Sequence, residues 1–167
     1  LGDDAYIGGS GHDTVRYSSA NRFPIQVNLN TGKASGREIG SDLLSSIEDV
    51  IGGSKGDTIT GSAAANRLIG GPGADRLSGN GGVDTFAYIS LKDSPATRQG
   101  QDTISDFNGG GTTGDRLDLS ALDANSKLAG NQAFRSIGTR AFSGKPGELC
   151  FTPASGLLSA DVNGDAQ

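Results

Sequence analysis

Large apolar side chains recur at a spacing of nine: Ile59, Leu68, Leu77 and Phe86 follow one another in phase, and Val15 holds the same place in an earlier unit. Two positions before each stands an acid or amide, Asp13, Asp57, Asn66, Asp75 and Asp84, and glycines crowd the positions before that. The units read GGSGHDTVR (8–16), GGSKGDTIT (52–60), GSAAANRLI (61–69), GGPGADRLS (70–78) and GNGGVDTFA (79–87). LGDDAYI (1–7) fits the last seven positions of a preceding unit, with Asp4 and Tyr6 in the acid and apolar places. The shared template is G-G-x-G-x-D-x-U-x, with U a large apolar residue. It predicts a six-residue turn and a three-residue strand, U pointing inward and Thr14, Thr58 and Thr85 standing on strand surfaces. Two units complete one coil, so turns n and n+2 stack on the same side, about 4.8 Å apart. A flexible glycine linker has no need of an acid and a bulky residue in register.

Residues 17–51 interrupt the period. There Pro24–Leu29 alternates as a strand, Asn30–Lys33 reads as a turn, and Ser45–Ile51 leads into the next unit. The stretch reads as a larger coil inserted in the same solenoid. After residue 87 the period stops. Short strands are expected over 102–107 and 115–120, a glycine-rich turn over 109–114, a short helix over 128–134, and a closing hairpin from Glu148–Thr152 and Leu157–Ala160. A solenoid needs an atypical cap over its open end. The expected organisation is therefore all-β: a right-handed parallel β-roll (β-solenoid) over 1–90 with its insertion at 17–51, and a C-terminal β-rich cap over 91–167 that stops before its natural end.

Composition supports a thin core. Glycine supplies 28 of 167 residues, while bulky and small hydrophobics together reach only 34%. The acids are lopsided, 16 Asp against 3 Glu, and Asp suits turns and hard-cation sites better than helix surfaces. A net charge of −5 without any Lys/Arg run argues against a nucleic-acid partner, and no stretch approaches the ~20 apolar residues of a membrane span. The lone Cys150 reads as a small buried apolar side chain, and no zinc-type Cys/His spacing exists. Catalytic patterns fail in context. Gly52-Gly53-Ser54-Lys55-Gly56 matches a nucleophile elbow, but the sole histidine, His12, lies upstream at a variable repeat position. Gly109–Gly114 matches G-x-G-x-x-G, but strand-like DRLDL follows instead of a helix, and no H-E-x-x-H occurs. Asp161-Val-Asn163-Gly-Asp165 opens like a cation loop, but Gly164 falls fourth where such a loop has glycine sixth, and a polar hairpin turn is the better reading.

The turns carry the chemistry. Glycines permit backbone angles closed to other residues and can aim successive carbonyls inward. Calcium takes 6–8 oxygens, carboxylate and carbonyl alike, so an ion between two stacked turns takes an Asp from each plus carbonyls. Candidate turn glycines are Gly2, Gly9, Gly11, Gly53, Gly71, Gly73 and Gly82; candidate side chains are Asp4, Asp13, Asp57, Asn66, Asp75 and Asp84. The best pair is Asp57 with Asp75, and Asn66 with Asp84 is second; Asp4 and Asp13 need partners outside the repeats. Lys55 stands where a third glycine belongs and could re-phase its turn, Ala64 and Asn66 weaken theirs, and Asn80 replaces a glycine with a residue that tolerates the left-handed region. Without the metal, stacked carboxylates repel and the core is too thin to compensate, so the coil is expected to be unfolded until calcium binds.

These units resemble the RTX nonapeptide repeat, and the run from Ile47 through DTISDF to DRLDLSAL (47–122) resembles the C-terminal domain of serralysin-type secreted metalloproteases. The resemblance implies a non-catalytic module that binds several Ca2+ ions, ~3–5, with Asp93 and Asp102 closing the final sites. It also implies type I secretion in the unfolded state, an extracellular location, and support for folding of an upstream passenger. A polysaccharide- or surface-binding module, epimerase- or adhesin-like, is the alternative.

Overall fold

The computed structural model describes residues 2–97 and 99–166. All regular elements among them are strands, and they fall into two compact units, 1–118 and 119–167. The first unit begins with β1 (Ala5–Ile7) and β2 (Thr14–Arg16), continues through β3 (Ile25–Asn28), β4 (Lys33–Gly36) and β5 (Gly40–Ser45), and then β6 (Asp49–Ile51). The tandem repeats supply β7 (Thr58–Thr60), β8 (Arg67–Ile69), β9 (Arg76–Ser78) and β10 (Thr85–Ala87), and β11 (Thr103–Ile104) and β12 (Arg116–Asp118) complete it.

Successive repeats go alternately to two sheets. One has the order β1-β5-β4-β3-β7-β9-β11, the other β12-β10-β8-β6-β2. Strands two units apart pair in parallel, with Ile59 beside Leu77 and Leu68 beside Phe86. The middle residue of a three-residue strand has both neighbours on the opposite face. Thus Val15, Ile59, Leu68, Leu77 and Phe86 point between the sheets and are at most 3% exposed. Lys55 leaves this register unchanged, and its turn is not re-phased. Asn80 takes a left-handed φ of 65°, as its type permits.

The insertion is a larger coil of the same roll. β3, β4 and β5 form an antiparallel meander inside the seven-stranded sheet, joined in parallel to β7 on one side and β1 on the other. Its turn after β3 is held by the Thr31 N–H donating to Asn28 Oδ1 at 2.9 Å, with Gly32 at φ 64°. The meander and its flanks add Tyr17, Ala20, Ile25, Val27, Ala34, Ile39, Leu44 and Val50 to the core.

Three sequence expectations change. Tyr6 occupies a U position yet is 39% exposed, because β1 ends its sheet and no strand lies beyond it; the ring packs edge-on against Tyr17, centroids 6.3 Å apart. The division expected at 90/91 lies within the first unit, since β11 and β12 add to β9 and β10 and extend both sheets to Asp118. No helix forms over 128–134: Gly130 takes φ 90°, and the Asp123 and Asn125 side chains accept N–H groups from Asn125, Gln132 and Lys127, a local alternative to helical bonding.

The second unit contains β13 (Arg135–Ser136), β14 (Glu148–Thr152) and β15 (Leu157–Asp161). The latter two make the expected hairpin, and β13 adds in parallel to β14. Cys150 on β14 is half-buried, not enclosed as expected, because a three-stranded sheet leaves one face of the hairpin open.

Leu68 is fully buried between the sheets. Leu68→Ala removes that packing and is expected to cost about 2–5 kcal/mol, read from chemical denaturation in saturating calcium.

Candidate metal centre

The sixth residue of each repeat ends a turn and opens a strand, so its backbone groups pair with the next coil on the same side. The carbonyls of Asp57, Asn66, Asp75 and Asp84 accept from the N–H groups of Arg76, Thr85, Thr103 and Arg116, each at 2.8 Å. Their own N–H groups donate to the side-chain carboxylate one coil further on. Along one side Ile25 N–H donates to Asp57 Oδ1 (2.9 Å), Asp57 N–H to Asp75 Oδ1 (2.7 Å) and Asp75 N–H to Asp102 Oδ1 (2.9 Å). Along the other, Asp13 N–H donates to Glu48 Oε2 (3.0 Å), Asn66 N–H to Asp84 Oδ1 (2.9 Å) and Asp84 N–H to Asp115 Oδ1 (3.0 Å). One carboxylate oxygen per coil thus belongs to the backbone ladder.

The second oxygen distinguishes the turns. Asp57 Oδ2 accepts the Gly53 N–H at 2.7 Å, and Asp115 Oδ2 accepts the Asn108 N–H at 2.8 Å. Asn66 has no second oxygen; its Oδ1 accepts the Ser62 N–H and its Nδ2 donates to the Glu48 carbonyl, both at 2.7 Å. By contrast, Asp13, Asp75, Asp84 and Asp102 each keep a buried Oδ2 with no hydrogen-bond partner. Asp75 and Asp84 are only 1% exposed. A buried anionic oxygen without a donor is costly, and a cation is what offsets it.

Glycines leave room beside these oxygens. A Cβ on Gly70 would meet Asp75 Oδ2, one on Gly71 would meet the Gly53 carbonyl, and one on Gly73 would come within 2.7 Å of the Lys55 carbonyl. The Asp84 turn repeats the arrangement: a Cβ on Gly79 would meet Asp84 Oδ2, and one on Gly82 would lie 2.7 Å from the Ala64 carbonyl. Gly71 and Gly82 also take φ of 90° and 100°, closed to side-chain-bearing residues. The donors gathered here are carboxylate and carbonyl oxygens, the set that a hard cation such as calcium takes. The residues present therefore fit calcium.

The electrostatics agree. Burial pushes Asp75 up to about 7, with the neighbouring charges of Asp102, Asp57 and Asp93 adding to it against the hydrogen bond from Asp57. Asp102 is likewise pushed up to about 7 by burial and by Asp93, against hydrogen bonds from Asp75 and Tyr88. Burial also raises Asp57 and Asp84.

Each cradle holds one unpartnered carboxylate oxygen, not one from each of two acids. Asp57, expected to share an ion with Asp75, uses both oxygens on backbone N–H groups, and the Asn66 amide is satisfied within the protein. Asp93 is 2% exposed; its Oδ2 accepts the Ile89 and Ser90 N–H groups, each at 2.9 Å, and its charge acts on both Asp75 and Asp102. At the other end Gly2 and Asp4 are exposed, the Asp4 N–H donating to Asp42 Oδ1 at 3.0 Å. Gly9 and Gly11, also exposed, take φ of 111° and 113°. Sequence reasoning missed Asp42, Glu48 and Asp115. For Asp115 a signal existed, since Asp75-Arg76-Leu77 recurs as Asp115-Arg116-Leu117.

The remaining motifs close on themselves. Asp161 Oδ1 accepts the Asn163 and Gly164 N–H groups and Oδ2 accepts that of Ala166, a polar turn. The His12 side chain is 67% exposed, 3.7 Å from Asp49. Ser54 lies in a repeat turn that leads into β7, not into a helix.

Two sheets of parallel three-residue strands joined by glycine-bearing, acid-tipped turns define a β-roll of the RTX class. The chain belongs to the family described as peptidase M10 serralysin C terminal, whose model matches residues 8–155. That family is a non-catalytic repeat module associated with calcium binding and with secreted proteins. No curated protein matches the chain.

The raised carboxyls set a pH dependence in metal-free protein. An acid whose folded pKa lies above its unfolded value, ordinarily near 3.9, destabilises the fold once the unfolded chain ionises. For Asp75 and Asp102 the cost begins near pH 4 and is complete above about 7. In EGTA the strand signal is therefore expected to fall as pH rises across that window, because ionisation opposes ordering of these turns, and saturating calcium to flatten the slope, both by far-UV circular dichroism.

Proposed function

We propose that this chain is a calcium-ordered β-roll module of a secreted bacterial exoprotein. The observation that carries the reading is the set of buried, donorless Oδ2 atoms on Asp13, Asp75, Asp84 and Asp102, those of Asp75 and Asp84 set beside turn glycines. Asp75 with the Gly53 and Lys55 carbonyls would hold one ion, and Asp84 with the Ala64 carbonyl a second. Asp102, with Asp93 beside it, would hold a third. When bound, calcium neutralises the stacked carboxylates and supplies the partner their second oxygens lack.

Extracellular modules bind calcium at roughly 10⁻⁴–10⁻³ M, far above cytosolic levels. Such a module lacks its calcium-ordered turns inside the cell, a state suited to type I export, and binding outside stabilises it by mass action, about 2.7 kcal/mol per site at 100 times Kd. The ordered roll then serves as a rigid support on which an upstream passenger domain completes its own folding.

Far-UV circular dichroism with calcium titrated into EGTA-treated protein tests the reading. The expected result is a cooperative gain of strand signal and a rise in thermal midpoint that magnesium does not reproduce. An identical spectrum and melt with and without calcium would refute it.

The turns also rank by their free oxygens. Asp75→Ala removes the only unpartnered carboxylate oxygen of its cradle, while Asn66→Ala removes an amide already satisfied inside the protein. Asp75→Ala is expected to raise the calcium midpoint for folding more than Asn66→Ala does, compared in parallel titrations.

A further inference from the structure

The donorless oxygens are unevenly placed. From residue 14 to 69 every buried side-chain nitrogen and oxygen has a hydrogen-bond partner. Asp42, 2% exposed, accepts the Asp4 N–H on Oδ1 and the Tyr17 hydroxyl on Oδ2, at 3.0 and 2.9 Å. Glu38 Oε2 accepts the N–H groups of Arg22 and Phe23, at 2.7 and 3.0 Å. Asp57 and Asn66 are satisfied as described above. Three of the four unpartnered Oδ2 atoms, those of Asp75, Asp84 and Asp102, lie after residue 69, and the fourth, on Asp13, lies before residue 14.

The apolar core is skewed the opposite way. Of the 13 buried members of its main cluster among the described residues, 11 lie from Val15 to Leu68, and only Leu77 and Phe86 come later. The stretch that lacks donors for its acids is also the stretch with the thinnest core, and the stretch with the thickest core has its buried acids satisfied within the protein.

Resting on the calcium reading above, we propose that the roll consists of two blocks with different calcium requirements. Residues 14–69 hold their fold without calcium, and residues 70–118 become ordered only when calcium binds. The first block ends in β7 and β8, and the residues just before them, Asp57 and Asn66, present the N–H groups that Asp75 and Asp84 accept. It is a preformed template, and the second block adds to it as β9, β10, β11 and β12. Calcium concentration then sets how much of the roll is solid, not whether any of it is.

Hydrogen exchange read by mass spectrometry on the full chain, in saturating calcium and in EGTA, tests this directly. Amides of β3 to β8 should keep their protection in EGTA, while those of β9 to β12 should lose about 100-fold or more, the factor that one ion at 100 times its Kd supplies. Asp75→Asn, measured in intermediate calcium, should lower protection in β9 to β12 and leave β3 to β8 unchanged. Equal loss in both blocks, in either experiment, would overturn the two-block inference while leaving calcium dependence itself standing. No loss in either block on calcium removal would instead refute the calcium reading, and this inference with it.

Discussion

Everything in the roll hangs on how one carboxylate divides its two oxygens. The first accepts a backbone N–H from the preceding coil and so belongs to the ladder that holds the turns in register. That bond orients the side chain into the bend and leaves the second oxygen pointing where glycines have cleared the space. Bulkier turn residues would fill that space. Ladder and cation cradle are thus made by the same side chain, which is why a repeat of nine residues can serve both.

The arrangement concentrates negative charge along each edge of the roll. Asp75 and Asp102 feel each other and Asp93 through a poorly hydrated region, and in the folded roll without a cation Asp75 and Asp102 are driven toward neutrality. A conventional domain would set a large apolar core against such repulsion. Here the tandem repeats contribute a single inward side chain per strand, Ile59, Leu68, Leu77 and Phe86. Calcium is a more economical counterweight, since one ion answers several oxygens at once.

The inserted coil relieves the same difficulty by another route. Its meander widens one sheet and brings bulky residues such as Tyr17, Ile25, Val27 and Ile39 into the centre. Where the repeats would call for a cation, it uses the Tyr17 hydroxyl on Asp42 and backbone N–H groups on Glu38. Interrupting the repeat therefore gives its acids internal donors and adds packing.

The architecture was largely legible in the chain. A nine-residue period with one bulky position places strands, turns and inward residues, because a three-residue strand has only one way to bury its middle side chain. The insertion and the closing hairpin could be read from alternation and turn residues, while Asp102 came only from the resemblance to the serralysin C-terminal domain. Tyr6 could not: its position in the repeat matches Phe86, but burial depends on what lies beyond the sheet edge, which no local pattern encodes. The helix expected near 128–134 was lost to side-chain bonds from Asp123 and Asn125 that compete with the backbone. Asp57 and Asp75 occupy the same position in the same template, yet one carboxylate is fully satisfied and the other is not. Residue type and spacing determined that acids would line the turns. Which of their oxygens remain free was decided only by tertiary structure, since that depends on where the neighbouring coil delivers its N–H groups.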